Sequence, residues 1–524
     1  MAPRAAVDRR RLLQLAVASA GGLWLPPAAR SKPRLAENPF ALGVASGSPA
    51  HDSVVLWTRL MAPGPLPWPG LAPVTVGWEV AHDEQFSRIV RSGQAQALPE
   101  LAHSVHVEAA GLEPDRWYFY RFRAGDAHSP IGRTRTFPAP GAMAQRLRLA
   151  YASCQRWEHG YFSAYRHMLQ ENLDAVLFLG DYIYEYPTAS RPVRVPSGGW
   201  VLTLDDYRQR YALHKGEAEL QAMHAACPWL VTWDDHEVQN DYAGLQAGDS
   251  GPPGVDFGAR RAAAYQAFYE HMPVRAAVLT RAFAGLAAGA EVRLYAQHAF
   301  GRLATIVLLD DRQYRDPQVC SRGGKWGSSE VDPDACAAWN DPSRSLLGAA
   351  QEAWLDAGLA RTPARWTVIG QQTLFGRRDH RPGPGESLWN DGWDGYSAAR
   401  GRFAQSLQRA ANPVLLGGDV HENWVGHVKA DYTRPDAPSI GVEFCGTSIT
   451  SRADGRGRLP QRLAENPHFV FADARRKGYG VAEFTPGRLT TTLRVVDEVT
   501  RRATKIETLA QFVVEAGRPQ LEKV

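Results

Sequence analysis

The sequence predicts an N-terminal antiparallel β-sandwich followed by a layered α/β domain. Three observations carry that prediction. Residues 39–138 hold short alternating or β-rich runs between turn clusters, with no helical run, which is the pattern of a sandwich. From Leu147 onward, short apolar strands alternate with helical stretches, as buried strands under helices do. Those later strands repeatedly end in Cys, Asp, His or Gln, and in such sheets ligands sit beyond the strand ends.

Composition narrows the class. The 524 residues are 22% charged, 44% hydrophobic and 10% aromatic, which excludes a disordered chain, a collagen-like repeat and a coiled coil. A net charge of +4 excludes a nucleic-acid binder working by bulk charge. There is no Walker A loop, GxSxG elbow or GxGxxG fingerprint.

Residues 1–29 read as an export signal. Arg9-Arg10-Arg11 precedes an apolar run from Leu12 to Leu25, and Pro27-Ala28-Ala29 offers small residues for cleavage. The run is too short to span a bilayer. The arginine pair followed by Arg11-Leu12-Leu13 resembles a twin-arginine signal. An ordinary export signal or a retained anchor are the other readings. Removal takes away four Arg and one Asp and leaves the mature chain near +1. No other stretch is long and apolar enough to be transmembrane.

In the sandwich, the expected strands are SVVLWTRL (53–60), VTVGWEVA (74–81), SVHVEAAGL (104–112) and RWYFYRFRAG (116–125). The run from Leu112 to Tyr118 resembles the tyrosine corner of fibronectin III/Ig-like sandwiches, with Tyr118, Tyr120 and Phe122 on one side. FPAPGA (137–142) is the linker.

In the α/β domain, LRLAYASC ends at Cys154 and LDAVLFLGD at Asp181. PWLVTWDDHE carries Asp234, Asp235 and His236, and RLATIVLLDDR carries Asp310, Asp311 and Arg312. RWTVIGQQT ends at Gln371 and Gln372, and NPVLLGGDVHE holds Asp419 and His421. Helices are expected over 160–171, 205–226, 257–272 and 348–360. The segment 506–524 is weakly amphipathic and is expected as a lid or packing helix. Among five cysteines, Cys320 and Cys336 flank a polar loop. A bridge there closes about 15 residues, worth roughly 3 kcal/mol in the chain-entropy account. Cys227 and Cys445 read as buried thiols.

Carboxylates and imidazoles of this density can hold two cations with one carboxylate bridging, and such a pair can activate water. A single strand-end Asp is commonly a cap or turn residue; the number of such ends is what points to a metal site.

The series SCQR, LFLGDYIYE, WDDHEVQND, GQQT and GGDVHEN resembles the alkaline phosphatase D family, a branch of the calcineurin-like metallophosphoesterases. ALGVASGSP and VVLWTRL resemble that family's N-terminal domain, and the likeness runs from about residue 39 to beyond 450. It implies a sandwich over 39–138, a metallophosphoesterase domain over 145–505, and phosphoester hydrolysis with ferric iron and calcium ions. Residue by residue, it implies Cys154, Tyr184 and His421 as iron ligands, with Asp181 bridging. Asp235 and Asp419 would hold the harder cation, with Asn240 and Gln372 as amide-oxygen ligands. Asp234 is either a ligand or an acceptor behind one. His236 would contact the phosphoryl group or leaving oxygen, and Arg156 would steady a phosphoryl oxygen. Asp310, Asp311, Arg312 and Arg315 read as a strand-end ion network outside that set, while EFCGTSITS (443–451) either lines the pocket or makes turns.

The expected function is therefore exported hydrolysis of phosphomonoesters, and of phosphodiesters, by in-line attack of a metal-held hydroxide. The substrate is a small phosphoester, and the protein a monomer in the periplasm or medium. A phospholipase D-like lipid phosphodiesterase and a non-catalytic surface-binding protein are the rival readings. Replacing Arg9-Arg10 by Lys-Lys is expected to leave the protein inside the cell, read by fractionation. Unchanged export rejects the twin-arginine reading.

Overall fold

A computed structural model describes residues 38–61, 72–196, 198–279, 291–321, 326–361, 363–434, 436–453 and 459–524. The export signal lies outside them. The chain divides into two compact units.

The first unit joins the N-terminal stretch through Ala139 to Leu202–Leu230 and Gly258–Arg293. Strands Val44–Gly47, Ser53–Arg59 and Ser104–Ala110 form an antiparallel ladder. A separate sheet holds Val74–Ala81, Ile89–Ala97, Trp117–Ala124 and Ala127–His128, with Gly132–Arg135 on Trp117–Ala124. One apolar cluster draws Val54, Leu56, Val105 and Val107 from the ladder and Val76, Val80, Tyr120 and Phe122 from the sheet. Alternation along Trp117–Ala124 buries Tyr118, Tyr120 and Phe122 on one face, as its period of two requires. The Tyr118 hydroxyl accepts the Glu113 N–H at 2.9 Å, tying the turn before this strand to it.

The stretch expected as one helix over 205–226 is two, Leu204–Lys215 and Ala218–Ala226, interrupted at Gly216-Glu217. Thr203 and Asp206 cap the first reciprocally. These helices and the helix Phe257–His271 from Gly258 onward fall in the first unit. Side chains explain the placement of Phe257–His271. Tyr269 stacks on His106 at 4.4 Å, the His106 ring nitrogen meets the Met272 carbonyl at 2.9 Å, and Trp57 Nε1 donates to the Glu270 carbonyl at 3.0 Å.

The second unit comprises Pro140–Val201, Val231–Phe257 and Leu294–Val524. One sheet runs in the order Glu522–Lys523, Ile506–Glu515, Arg488–Val496, Lys477–Phe484, Leu147–Ala152 and Ala175–Leu179, the last two parallel. The other runs Ala296–Phe300, Ala304–Leu308, Trp366–Gly370, Pro413–Gly417, Ser439–Cys445, Asn423–Lys429 and Phe469–Asp473. Its second to fifth strands are mutually parallel. The first three of these are buried along their whole length, which is why they read as apolar runs rich in Val, Leu and Ile. Trp366 meets Phe484 at 5.7 Å and Phe444 meets Phe512 at 6.2 Å, joining the two sheets. Helices Gly348–Leu359 and Ser397–Leu407 cover the second sheet through Leu355, Leu359, Phe403 and Leu407.

The C-terminal segment corrects its expectation. Ile506–Glu515 is a strand paired antiparallel with Arg488–Val496, and Glu522–Lys523 extends it. Alternating Ala510, Phe512 and Val514 turn inward, a period of two that outweighs the weak helical pattern. Cys320 and Cys336 are bridged, as expected, and Cys154, Cys227 and Cys445 are buried thiols. Among the described residues, no helix is long and apolar enough to cross a membrane.

Candidate active site

Strand direction assembles the site, because parallel strands carry their carboxyl ends to one side. Cys154 follows Leu147–Ala152, and Asp181 follows Ala175–Leu179. Asp419 and His421 follow Pro413–Gly417, and Asp234 to Glu237 follow Trp229–Thr232. Cys154, Asp181, Asp419 and His421 all have positive φ, between 57° and 64°. Left-handed backbone costs a non-glycine residue on the order of 1–3 kcal/mol, and such strain gathers at functional sites. Gly180, at φ 103°, shows how tight the turn is: a Cβ there would lie 2.4 Å from Asp234 Cβ.

Three acidic or mixed clusters adjoin. Cys154 Sγ, an Asp181 oxygen and a His421 nitrogen lie within 4.8 Å of one another, as do ligand atoms of Asp181, Asp235 and His236, and of Asp235, Asp241 and Asp391. Asp181 and Asp235 are each shared between two clusters. The Tyr184 hydroxyl donates to Asp181 Oδ2 at 2.7 Å and lies 3.2 Å from His421 Nε2. His421 Nδ1 faces the Arg452 carbonyl at 2.8 Å. That partner fixes the proton on Nδ1 and leaves the Nε2 lone pair toward Tyr184. Ser451 Oγ lies 2.7 Å from the Tyr184 hydroxyl and accepts the Arg156 N–H at 3.1 Å, so the 443–451 stretch does line the site.

Electrostatics shows a shortage of positive charge. Burial pushes the Asp181 carboxyl, the Cys154 thiol and the Tyr184 phenol well above their ordinary ranges, and pushes His421 down to about 3. Asp181 Oδ1 is buried without a hydrogen-bond partner. Burial opposes charge on His236, yet Asp181, Glu185 and Asp235 hold it protonated well above its usual range. An unsatisfied buried carboxylate oxygen, a turned imidazole lone pair, a thiol and a phenol fit a metal ion, which would draw off the protons that burial retains.

Arg312 supplies the positive charge on the other side. Its guanidinium is 2% exposed, pairs with Asp234, and meets Asp391 at 2.5 Å, Asp235 at 3.6 Å and Asp419 at 3.6 Å. The residues read as a strand-end ion network thus include the counter-ion of the candidate ligands. Asp235 is consequently held below the usual carboxylate range, although burial alone would raise it.

Other expected residues sit differently. Gln372 Nε2 donates to Thr232 Oγ1 at 2.9 Å and to the Trp233 carbonyl at 2.7 Å, and its Oε1 accepts the Asp311 N–H at 3.2 Å. Both ends of its amide tie strand ends together, a cross-link where a ligand was expected. Asn240 is held by its backbone N–H on Glu185 Oε1 at 2.8 Å. Asp419 lies outside the three clusters; its Oδ2 accepts the Thr373 hydroxyl at 2.7 Å. Arg156 lies over the Tyr184 and Tyr186 rings, 5.5 and 5.0 Å from their centroids.

Two buried acids escaped sequence reasoning. Glu237 accepts the N–H groups of Asp181, Tyr182 and Asp234 at 3.1, 2.6 and 2.9 Å, pinning both ligand-bearing turns. Glu185 Oε2 lies 2.7 Å from His236 Nδ1. Both stand inside the motifs LFLGDYIYE and WDDHE, so position flagged them, while side-chain direction did not.

The sequence matches the PhoD-like phosphatase family over residues 149–493 and that family's N-terminal domain over residues 27–138. The chain belongs to the PhoD-like phosphatase family. It is 43% identical over 537 aligned residues to the alkaline phosphatase D of Bacillus subtilis (strain 168), covering 99% of this chain and 89% of that protein. A solved structure described as that of PhoD superposes with a TM-score of 0.86 at 43% identity, covering 94% of this chain and 93% of that one. Membership in the PhoD-like family makes the protein a phosphoric ester hydrolase. Removing one partner of a buried charge network leaves the others uncompensated, at about 3–5 kcal/mol. Arg312→Gln is therefore expected to lose stability of that order in urea unfolding under chelator. A loss below about 1 kcal/mol, the scale of an exposed pair, contradicts the network.

Proposed function

We propose that this protein is an exported, metal-dependent phosphohydrolase that cleaves phosphomonoesters and phosphodiesters with ferric iron and calcium. The observation that carries the reading is the convergence of Cys154, Asp181 and His421 within 4.8 Å, with the Tyr184 hydroxyl 2.7 Å from Asp181. Thiolate, phenolate and imidazole together suit a transition metal. The all-carboxylate group of Asp235, Asp241 and Asp391 suits a hard cation such as calcium, and Asp419 lies beside it on Arg312. When bound, the ions supply Lewis-acid activation of water and of the phosphoryl group.

The chain's own residues do the rest. Asp181, shared by two clusters, would hold an ion on either side. Arg156, backed by the aromatic walls of Tyr184 and Tyr186, steadies a phosphoryl oxygen. His236, oriented by Glu185 through Nδ1, donates a proton from its other nitrogen to the departing oxygen. The name of the Bacillus relative, alkaline phosphatase D, supports monoester cleavage. The Cys320–Cys336 bridge suits an oxidising compartment. It supports, with Arg9-Arg10 and the following apolar run, a periplasmic or secreted protein using the twin-arginine route. The two antiparallel layers of the first unit we read as a fibronectin III/Ig-like sandwich, on the strength of the Tyr118–Glu113 corner.

Purified holoenzyme is expected to show visible colour from phenolate-to-iron charge transfer. Tyr184→Phe should abolish it, and Cys154→Ala should lower iron content and turnover together. Full activity with zinc alone and no bound iron contradicts the iron assignment. His236→Ala should keep both metals and slow an alkyl phosphate roughly 100-fold, the scale of acid catalysis, with a smaller effect on an activated aryl phosphate. Equal slowing of both esters rejects the proton-donor role.

A further inference from the structure

Asp235 does not stand alone. Its Oδ2 accepts the backbone N–H of Asp241 at 2.7 Å. Asp241, at φ 59°, is itself fixed from a distant part of the chain. Its Oδ2 accepts both the N–H and the hydroxyl of Ser328, at 3.0 and 2.7 Å. Its carbonyl accepts Gln318 Nε2 at 2.8 Å, and the same amide nitrogen reaches Asp391 Oδ1 at 2.6 Å.

Gln318 and Ser328 belong to the loop that the Cys320–Cys336 bridge closes or borders. A second set of bonds holds both limbs of that loop. Asn390, fully buried, donates through Nδ2 to the Val319 carbonyl at 2.9 Å and to Ser321 Oγ at 3.1 Å. Its Oδ1 accepts the Ser329 N–H at 2.6 Å. The disulfide, the asparagine and the serine thus form one continuous mechanical connection to a carboxylate of the acidic cluster.

We propose that Ser328 and the Cys320–Cys336 bridge position Asp235 for a hard divalent cation, Ser328 acting as the positioning residue through its neighbour in the carboxylate group, Asp241, and the bridge as the clamp. This rests on the reading above that Asp235 is a cation ligand. Partners behind a ligating carboxylate fix its orientation, and their loss typically costs about 10–100-fold in metal affinity. The bridge restricts the loop before the cation arrives, so the ligand is presented already ordered. These contacts end at Asp235, and none of them is made to Cys154, Tyr184 or His421.

The test is calcium titration calorimetry on purified protein stripped of calcium by a calcium-selective chelator, with iron measured by elemental analysis in parallel. Ser328→Ala and the double variant Cys320→Ser/Cys336→Ser are expected to weaken calcium binding by roughly tenfold or more with iron content unchanged. Ser328→Thr, which keeps the hydroxyl, should restore it. Asp235→Ala separates the two readings. If it weakens calcium binding while the serine and cysteine variants bind as the wild type does, the positioning role is overturned. If Asp235→Ala itself binds calcium normally, the ligand reading falls and takes the proposal with it. Loss of iron together with calcium in Ser328→Ala would mark a general structural role and equally overturn it.

Discussion

Burying many carboxylates in one place is the constraint on which the rest of this structure depends. Asp181, Asp234, Asp235, Asp391 and Asp419 all lie at or beside the strand ends, and Asp181 and Asp234 are pushed well above the ordinary carboxylate range by burial. Left uncompensated, such a group repels itself and costs several kcal/mol per ion in desolvation. Arg312 answers half of the problem by standing within ion-pair reach of Asp234, Asp235, Asp391 and Asp419. The half around Asp181 and Cys154 faces the His236 imidazolium alone, which Glu185 and Asp235 also share, and there the donor set fits a metal ion.

The fold pays for this concentration of charge with rigidity. Two sheets back to back hold the strand ends, and left-handed turns at Cys154, Asp181, Asp419 and His421 aim the side chains. Glu237 locks the Asp181 turn, and the strand end at Asp234, from behind through three backbone N–H groups. Gln372 staples the Thr232, Trp233 and Asp311 ends.

That division explains what was legible in the sequence. Apolar runs ending in Cys, Asp or His located the strand ends, and Cys154, Asp181, Tyr184, Asp235, His236 and His421, all drawn from the motif series, lie close together. What failed was the direction of individual side chains. Gln372 and Glu237 are equally polar strand-end residues, and sequence alone does not tell which atoms turn to backbone and which to a cation. Arg312 reads in the sequence as part of a strand-end ion network outside the site, because its partners come from strands distant in sequence. Helix Phe257–His271 lies between catalytic motifs, yet its Tyr269 and Glu270 meet His106 and Trp57 of the first unit. Its amphipathic pattern names a buried face, not what covers it. The segment Ile506–Glu515 was misread because its weak helical pattern competes with an alternation that strand pairing rewards.

The central claim is that the charge left open beside Asp181 is closed by a metal ion held by this chain's thiol, phenol, imidazole and bridging carboxylate. Anomalous diffraction at the iron edge, on crystals of protein purified without chelator, tests it most directly. The account predicts a strong peak within bonding distance of Cys154 Sγ, Asp181, Tyr184 Oη and His421 Nε2. A map with no peak among those four side chains, from protein that hydrolyses phosphoesters, would contradict it.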